Sequence, residues 1–435
     1  MKAPVIEVEQ LDGGLRTAFV NMPHFRTSAA RLTVNSGSLH EERDTAGAAH
    51  FLEHVTFQGT EGMPTEEDVH RYTEENGLMR NALTNQTITS YMANGYELET
   101  VGYFVTQAAL KPRLEPKTLE KERKPIVDEI RGYASDPHYL PNIAHYRAIR
   151  GERFAQPISG SVEDVIKITP EHLAAYHARN YRLGNAVLVI CSSEPVERQR
   201  EYAQAVVADI QEAGEDKPTP LVLPDFNPEG ITSSLQLLDL PETAQTAVSI
   251  NYGLPENQSP EEQLTYNLIG IALTKLINRR LRSELAICYG ASAYAARLAN
   301  LNFGADQNWA HLGLYASLAG EDSIQALDEI KGSVMGRRLP TDTIEAVFRV
   351  LRRNTDHMIE NPPAAMADSI QSILANSRRE HIDLEEVKDL VDRLTVEGLR
   401  KIHKDIADTP PVIMATSPDP AVLERVGEWA TANVA

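Results

Sequence analysis

The chain contains 435 residues, of which 42% are hydrophobic, enough for two or more cores of ordinary domain size. It has 62 acidic and 42 basic residues, and the resulting net charge of −20 argues against nucleic-acid binding, which requires clustered Lys and Arg to neutralise phosphates. Two cysteines exclude both a disulfide framework and a four-thiolate zinc site.

Apolar runs are short throughout the sequence. The run at 186–191 is far shorter than the roughly 20 residues that cross a bilayer. The first ten residues contain a proline, a lysine and two glutamates, where a secretory signal would be continuously apolar. Sparse cysteine usage is typical of a reducing compartment. We therefore expect a cytoplasmic protein without membrane partners.

Strand and helix patterns alternate along the first half of the chain. Apolar or Thr-rich runs predict strands at 15–20, 29–34, 82–92 and 186–191. Helices are predicted at 46–57, where Asp44 or Thr45 is the expected cap, and after the capping residue Thr65. Amphipathic spacing predicts further helices at 98–109, 119–133 and 171–181. This interleaving favours an α+β fold in which sheets pack against helices.

A weak internal repeat suggests duplicated domains. Thr169 and Thr395 each begin a T-x-E-x-L helix start that is followed by an apolar run, and the offset is 395 − 169 = 226 residues. We predict a first domain at 1–215, a Pro-rich linker at 216–232 and a homologous second domain at 233–435. The alternative is an accidental match, because T-x-E-x-L is a common way to begin a helix.

The pentapeptide His50-Phe-Leu-Glu53-His54 has the pattern H-x-x-E-H. On a helix the two histidines lie about 40° apart, and Glu53 lies about 60° to the other side of His50. Two imidazoles one turn apart can bind the same zinc ion, and the glutamate between them can reach a water on the metal. The alternative is a helix whose histidines satisfy local hydrogen bonds.

A catalytic zinc normally has a third protein ligand. Glu129 is a candidate, because it shares a helix face with Glu122, seven residues earlier, while apolar neighbours cover the other side. Pro125 lies between the two glutamates and is expected to kink this helix. Most such glutamates are merely solvated, so spacing alone leaves the third ligand open.

The sequence resembles the insulinase and pitrilysin family of zinc peptidases, particularly half-length members such as the catalytic subunit of mitochondrial processing peptidase. The resemblance is carried by the segments 12–16 (DGGLR), 36–38 (SGS), 47–60 (GAAHFLEHVTFQGT), 81–84 (NALT), 157–161 (PISGS) and 185–189 (NAVLV). Family members place a third ligand about 75 residues after the second histidine, and here 129 − 54 = 75. The resemblance therefore implies that His50, His54 and Glu129 bind one Zn²⁺ per chain.

Further roles follow from the resemblance. It implies that Glu53 activates a zinc-bound water as general base and that Glu122 supports a ligand or that water. It implies that the strand containing Asn81, Ala82 and Thr84 binds an extended peptide through its backbone. The second half would contribute a pair that reaches the substrate, Arg282 and Tyr289.

The resemblance implies a zinc metalloendopeptidase that cleaves short or unfolded peptides. Family members enclose substrate in a clamshell, of which this chain would form one half, so a homodimer or a heterodimer with a noncatalytic homologous subunit is expected. The 226-residue offset places Leu276 and Arg280 opposite the histidines, so the second half would bind no metal itself. Two alternatives stay open: a noncatalytic assembly subunit, and a zinc hydrolase of a non-peptide substrate.

Overall fold

The fold was analysed on a computed structural model of the chain. The described residues are 4–134, 139–150, 152–210, 235–241, 243–255, 260–298, 309–375 and 384–434. The predicted linker at 216–232 lies outside the described residues, and the proposed domain bounds stay a prediction.

The first half forms a six-stranded sheet in the order β1-β2-β6-β3-β5-β4. Neighbouring strands are antiparallel except for the parallel pair β2 and β6. The strands are β1 Ile6–Gln10, β2 Arg16–Asn21, β3 Ser28–Val34, β4 Met79–Thr84, β5 Thr89–Gly95 and β6 Ala186–Ser192. The predicted strands at 15–20, 29–34 and 186–191 are confirmed, each within one residue at either end.

Helices cover one face of the first sheet. Inward side chains of the strands, such as Phe19, Leu32 and Tyr91, pack with apolar residues of α1, α2, α3, α4, α8 and α9 in one buried core, which gives this half its α/β layers. The helices are α1 Ala48–Thr56, α2 Glu66–Glu75, α3 Leu98–Leu110, α4 Pro116–Ala134, α5 Tyr139–Arg150, α6 Glu152–Ala155, α7 Val162–Val165, α8 Pro170–Asn180 and α9 Val196–Ile210.

The second half forms a five-stranded sheet in the order β7-β11-β8-β10-β9. Its strands are β7 Leu235–Asp239, β8 Thr246–Leu254, β9 Cys288–Leu298, β10 Trp309–Leu318 and β11 Pro411–Ser417. Its helices are α10 Pro260–Ile277, α11 Ser323–Asp328, α12 Thr341–Glu360, α13 Pro363–Ala375, α14 Leu384–Arg393, α15 Val396–Ala407 and α16 Pro420–Val434. The π-helices Asn278–Glu284 and Glu329–Met335 continue α10 and α11.

The two sheets repeat one topology, which confirms the duplicated fold. In the first, β6 lies between β2 and β3, parallel to the former and antiparallel to the latter; β11 has the same relation to β7 and β8. Thr169 and Thr395 both cap the helix that precedes this strand, since each hydroxyl accepts a backbone N–H three residues later. The sequence repeat therefore marks structurally equivalent elements.

Each half also contributes a helix that contacts the sheet of the other half. Helix α13 covers β3 and β6, where Ile370 and Leu374 pack against Val187 and Val189. Helix α5 contacts β11 of the second sheet. Arg31 on β3 is almost fully buried beneath α13, and its Nε donates to Oδ1 of Asp368 at 2.6 Å. This buried charge is thus paired across the two halves, as burial of a charge requires.

One local prediction in the first half needs correction. The predicted strand at 82–92 is two strands, because Asn85 turns the chain: its side-chain oxygen accepts the backbone N–H groups of Thr87 and Ile88. Helix α4 continues through Pro125, where one intrahelical N–H is missing, and the predicted kink stays a prediction. Within the described ranges, every helix is too short or too polar to cross a lipid bilayer.

Candidate metal centre

Helix α1, which contains the H-x-x-E-H motif, is capped by a carboxylate from outside the helix. Glu41 is buried, and its two carboxylate oxygens accept the backbone N–H groups of Gly47 and Ala49 at 2.9 and 2.8 Å. The predicted caps Asp44 and Thr45 are therefore wrong, because the helix begins two residues later than expected. Burial raises the pKa of Glu41 to about 8, although both backbone bonds oppose the shift.

Two glycines bring a second segment against the start of α1. Gly47 and Gly160 both have positive φ, at +89° and +71°. A Cβ on Gly47 would lie 2.5 Å from the carbonyl oxygen of Ser159, and one on Gly160 would lie 2.6 Å from that of Ala46. Only glycine permits both the backbone conformation and this approach. The contact places Ile158 and Ser159 beside the motif helix.

The side chains of His50, His54 and Glu129 converge in the structure. One potential ligand atom from each lies within 4.8 Å of the others. The Nε2 atom of His50 is 3.7 Å from Oε1 of Glu129, and Nε2 of His54 is 3.3 Å from Oε2. The two histidines lie one turn apart on α1, and Glu129 faces them from α4. Helix packing thus joins residues that are 75 positions apart in sequence.

These separations fit a zinc ion. Zinc bonds of about 2.0 to 2.2 Å at tetrahedral angles place neighbouring ligand atoms about 3.3 to 3.6 Å apart. The 3.3 Å between His54 and Oε2 of Glu129 matches that spacing, and the 3.7 Å between His50 and the other oxygen, Oε1, is slightly longer. Two imidazoles with one carboxylate are a donor set typical of catalytic zinc. Burial, followed by the charge of His54, lowers the pKa of His50 to about 4, so its imidazole is neutral at pH 7. A neutral imidazole is the form that binds a metal.

Glu122 lies behind His54, on the side away from Glu129. Its Oε2 is 3.4 Å from Nδ1 of His54, and the carboxylate is buried. Burial tends to lower the pKa of His54, but the Glu122 hydrogen bond and the nearby Glu129 and Glu53 carboxylates raise it overall. A carboxylate on the outer nitrogen fixes the orientation of a metal-binding imidazole and increases its basicity.

Glu53 is held by the edge strand of the first sheet. The hydroxyl of Thr84, at the end of β4, donates to Oε2 of Glu53 at 2.5 Å. Burial raises the pKa of Glu53, and the Thr84 hydrogen bond opposes this shift. A carboxylate with a raised pKa is a better proton acceptor near neutral pH, which suits a general base. The resemblance assigned Thr84 to substrate binding, whereas the structure places its side chain on the base.

Tyr133 is a site residue that the sequence analysis missed. Its hydroxyl donates to Oε1 of Glu129 at 2.6 Å, and this bond, followed by burial, raises the pKa of Tyr133 to about 12. The available signal was the spacing: Tyr133 lies four residues after Glu129, and residues four apart on a helix are neighbours.

A cavity of about 480 Å³ opens onto this group. Ala82 and Thr84 of β4 line the cavity together with the potential metal ligands, while Asn81 is exposed and is not part of the lining. One edge of β4 has no neighbouring strand within the described sheet. The cavity is lined by His50, Glu53, Ala82, Leu83, Thr84, Glu129, Tyr133, Tyr139, Pro157, Ile158 and Ser159.

Arg282 and Tyr289 lie together elsewhere, in the second half. The Arg282 guanidinium carbon is 5.0 Å from the centroid of the Tyr289 ring, and this ring is 87% exposed. Among the described residues, the cavity lining comes only from the first half. The structure of this single chain therefore does not bring the pair to the metal group.

The duplicated α+β fold, with a group of potential metal ligands on α1 and α4 of its first half, is the fold of a known peptidase family. The family profile described as "Insulinase (Peptidase family M16)" matches residues 16–162, and the one described as "Peptidase M16 inactive domain" matches residues 167–335. The two matches together cover more than half of the sequence. The chain belongs to the M16 peptidase family.

Several relatives are subunits of larger assemblies. The chain is 27% identical over 224 residues to cytochrome b-c1 complex subunit 1 of Rattus norvegicus, covering 51% of this chain and 46% of that one. It is 28% identical over 189 residues to the mitochondrial-processing peptidase subunit beta of Lentinula edodes, covering 43% and 40%. The match thus spans less than half the length of these two relatives. An uncharacterized zinc protease of Mycobacterium leprae is 28% identical over 339 residues, covering 75% and 73%.

Solved structures share the whole fold. An M16-like peptidase from Alicyclobacillus acidocaldarius superposes with a TM-score of 0.76 at 17% identity, covering 95% of this chain and 98% of that one. A protease from Helicobacter pylori superposes with a TM-score of 0.77 at 15% identity, covering 95% and 100%. At this identity the likeness concerns the fold alone.

Proposed function

We propose that the chain is a zinc-dependent endopeptidase that hydrolyses peptide bonds of short or unfolded peptides. The observation that carries this proposal is the convergence of His50, His54 and Glu129 beside the Glu53 carboxylate in an open cavity. Membership of the M16 peptidase family supports the same reaction class. A site of this kind needs both a metal-binding group and a base within reach of the scissile bond.

The residues have separate roles in this mechanism. His50, His54 and Glu129 would hold the zinc ion, which lowers the pKa of water and polarises a carbonyl group. Glu53 takes the proton of the attacking water on its carboxylate and passes it to the amine nitrogen of the leaving peptide. Thr84 holds one oxygen of that carboxylate, so the base meets the water in a fixed orientation.

An extended peptide would bind along β4. Its exposed edge offers backbone N–H and C=O groups to an added strand, and such bonds are largely independent of the substrate's side chains. Ala82 and Thr84 lie in the cavity wall next to Glu53, so a peptide paired with this strand passes the metal group. Asn81, exposed on the same strand, would contact the peptide from the outer face. This mode suits unfolded substrates, because a folded protein rarely presents a free strand.

We further propose that the chain works in the cytoplasm as half of an enclosed chamber, completed by a second copy or by a homologous noncatalytic subunit. Relatives that are subunits of assemblies support this arrangement. The exposure of Tyr289, with Arg282 beside it, leaves both free to reach the site of another chain. Tyr289 would then donate a hydrogen bond to the substrate carbonyl as negative charge develops.

Complementation tests the assembly. Glu53→Gln protein and Tyr289→Phe protein should each be inactive, and mixing them should restore part of the activity if two copies share their sites. Recovery on mixing supports the homodimer, while a wild-type protein that is inactive and monomeric when purified alone supports a heterologous partner. A fully active monomer by light scattering would contradict both assemblies.

A noncatalytic assembly subunit is the second candidate function, favoured by the rat relative, which is a subunit of the cytochrome b-c1 complex. Cleavage-site mapping on a mixed peptide library separates the two functions. The zinc-loaded protein should cleave peptides, and a chelator should stop it. Stoichiometric zinc without any cleavage would favour the assembly role, and no bound zinc would overturn the proposed enzyme.

A further inference from the structure

We propose that Tyr133 is a positioning residue that restricts Glu129 to one metal-binding oxygen and thereby keeps a coordination position open for the reaction. This inference rests on the proposed zinc-dependent function and concerns a residue outside the H-x-x-E-H motif. It assigns a role to a tyrosine that the family resemblance did not identify.

The geometry around Glu129 distinguishes its two oxygens. Oε1 accepts the Tyr133 hydroxyl at 2.6 Å and is 3.7 Å from Nε2 of His50, whereas Oε2 is 3.3 Å from Nε2 of His54. Both residues lie on α4 one turn apart, so the helix itself fixes their separation. A hydrogen bond to a carboxylate is among the stronger neutral-donor contacts, and it competes with a metal for the lone pairs of that oxygen. Of the two oxygens of Glu129, Oε2 is therefore the one better able to bind a zinc ion.

Open coordination is what a catalytic zinc requires. Three protein ligands leave one position free, and a carboxylate that used both oxygens would occupy it. The hydroxyl on Oε1 opposes that second bond. The neighbouring reactive groups have comparable partners, since Glu122 contacts His54 and Thr84 contacts Glu53. Tyr133 gives the third ligand the same kind of support.

The Tyr133 ring is held at the cavity wall while its hydroxyl reaches Glu129. It stacks with Tyr139 at a centroid distance of 6.4 Å and an interplanar angle of 12°. Tyr133 is 46% exposed, so loss of its hydroxyl removes little buried structure. Tyr133→Phe keeps the ring and its stacking and deletes only the bond to Oε1.

Cobalt substitution provides the test, because the visible absorption of Co²⁺ weakens as its coordination number rises from four to five. Wild-type protein loaded with Co²⁺ should show the intense four-coordinate bands, and Tyr133→Phe should lower their intensity at least twofold. The same variant, loaded with Zn²⁺, should lose about tenfold in kcat with KM nearly unchanged, within the range seen when support of a metal ligand is removed.

Tyr139→Phe is the matched control, since it removes a hydroxyl from the same cavity wall without a contact to Glu129 and should keep the wild-type Co²⁺ spectrum. Thermal melts of the metal-free proteins should show that both variants are folded. An unchanged spectrum and kcat in Tyr133→Phe would overturn the role of Tyr133 alone. A wild-type protein that binds neither metal would overturn the proposed function together with this inference.

Discussion

The two halves of the molecule share one topology but differ at the helix that follows β3 in the first half and its counterpart β8 in the second. In the first half, α1 presents His50 and His54 to Glu129. At the offset of 226 residues the second half has Leu276, which packs against its core, and Arg280, whose guanidinium forms two hydrogen bonds with Glu329. Within the described residues, the same fold thus occurs once with a group of potential metal ligands and once without one.

The difference separates the requirements of folding from those of chemistry. At the 226-residue offset the second half has an apolar contact and an ion pair, and its five-stranded sheet repeats the order of five of the six strands of the first sheet. Metal ligands are therefore not needed to form this sheet, and the candidate site is an addition to the shared scaffold. Four sets of substitutions test this difference between the halves.

Removal of the base should have the largest effect. Glu53→Gln keeps the size and the ligands but cannot accept a proton, so peptide hydrolysis should fall by at least two to four orders of magnitude. Metal analysis should still find one zinc per chain. Glu74→Gln on the exposed side of α2 is the control and should retain full activity. More than a tenth of wild-type activity in Glu53→Gln would contradict the assigned base.

Substitution of ligands compares the halves directly. His50→Ala, His54→Ala and Glu129→Gln should each lower zinc affinity strongly, because two protein ligands hold zinc poorly. The substitutions Leu276→Ala and Arg280→Ala, at the corresponding positions, should leave zinc content unchanged. Zinc competition with a chromogenic chelator measures both sets. Loss of zinc from an Arg280→Ala protein that melts normally would show that the second half contributes to the metal site.

Thr84 should have an intermediate effect through Glu53. Thr84→Val removes the hydroxyl while keeping the shape, and we expect about a tenfold loss in kcat, as for one hydrogen bond to a charged group. Thr84→Ser restores the hydroxyl and should recover most of the rate. A loss confined to KM, or a failure of serine to rescue, would show that the strand acts through substrate binding instead.

The buried histidines, which occur in both halves, should affect activity at pH 7 least and should instead make stability depend on pH. Burial lowers the pKa of His40 in the first half to about 3 and that of His403 in the second to about 4. The unfolded chain then binds protons more readily, so the free energy of unfolding should fall as pH drops from about 6.5 towards 4.

The substitution His403→Gln removes the titrating group. Between pH 7 and pH 4.5 the free energy of unfolding of this variant, measured in urea, should therefore fall by about 2 to 3 kcal/mol less than that of wild type. His357→Gln, at an exposed position on α12, is the control and should keep the wild-type slope. Identical slopes for wild type and His403→Gln would show that His403 is not neutral in the folded protein.

Local patterns in the sequence were sufficient to predict much of the fold. Alternating apolar residues gave the strands around β2, β3 and β6, and Thr65 marked the start of α2 because its capping bonds lie within four residues. The cap of α1 was not predictable in this way. Glu41 precedes the helix by several residues and reaches it through tertiary folding, whereas Asp44 and Thr45 were the nearest candidates.

The candidate site likewise contains residues that local sequence patterns predict and contacts that arise only from tertiary folding. The positions of His50, Glu53 and His54 follow from helical periodicity alone. Glu129 required the family resemblance, since spacing left it among many solvated glutamates. The bond between Thr84 and Glu53 joins a strand to a helix 31 residues away, and no pattern in the sequence specifies such a contact.

The exchange of α5 and α13 between the halves has a consequence for how this chain can be divided. A fragment that ended after α9 would lack α13, and the outer face of the first sheet around Val187 and Val189 would be open to water. Arg31 would also lose Asp368 as its partner. Each half therefore depends on a helix from the other. The chain should unfold as one cooperative unit although its sequence records a duplication.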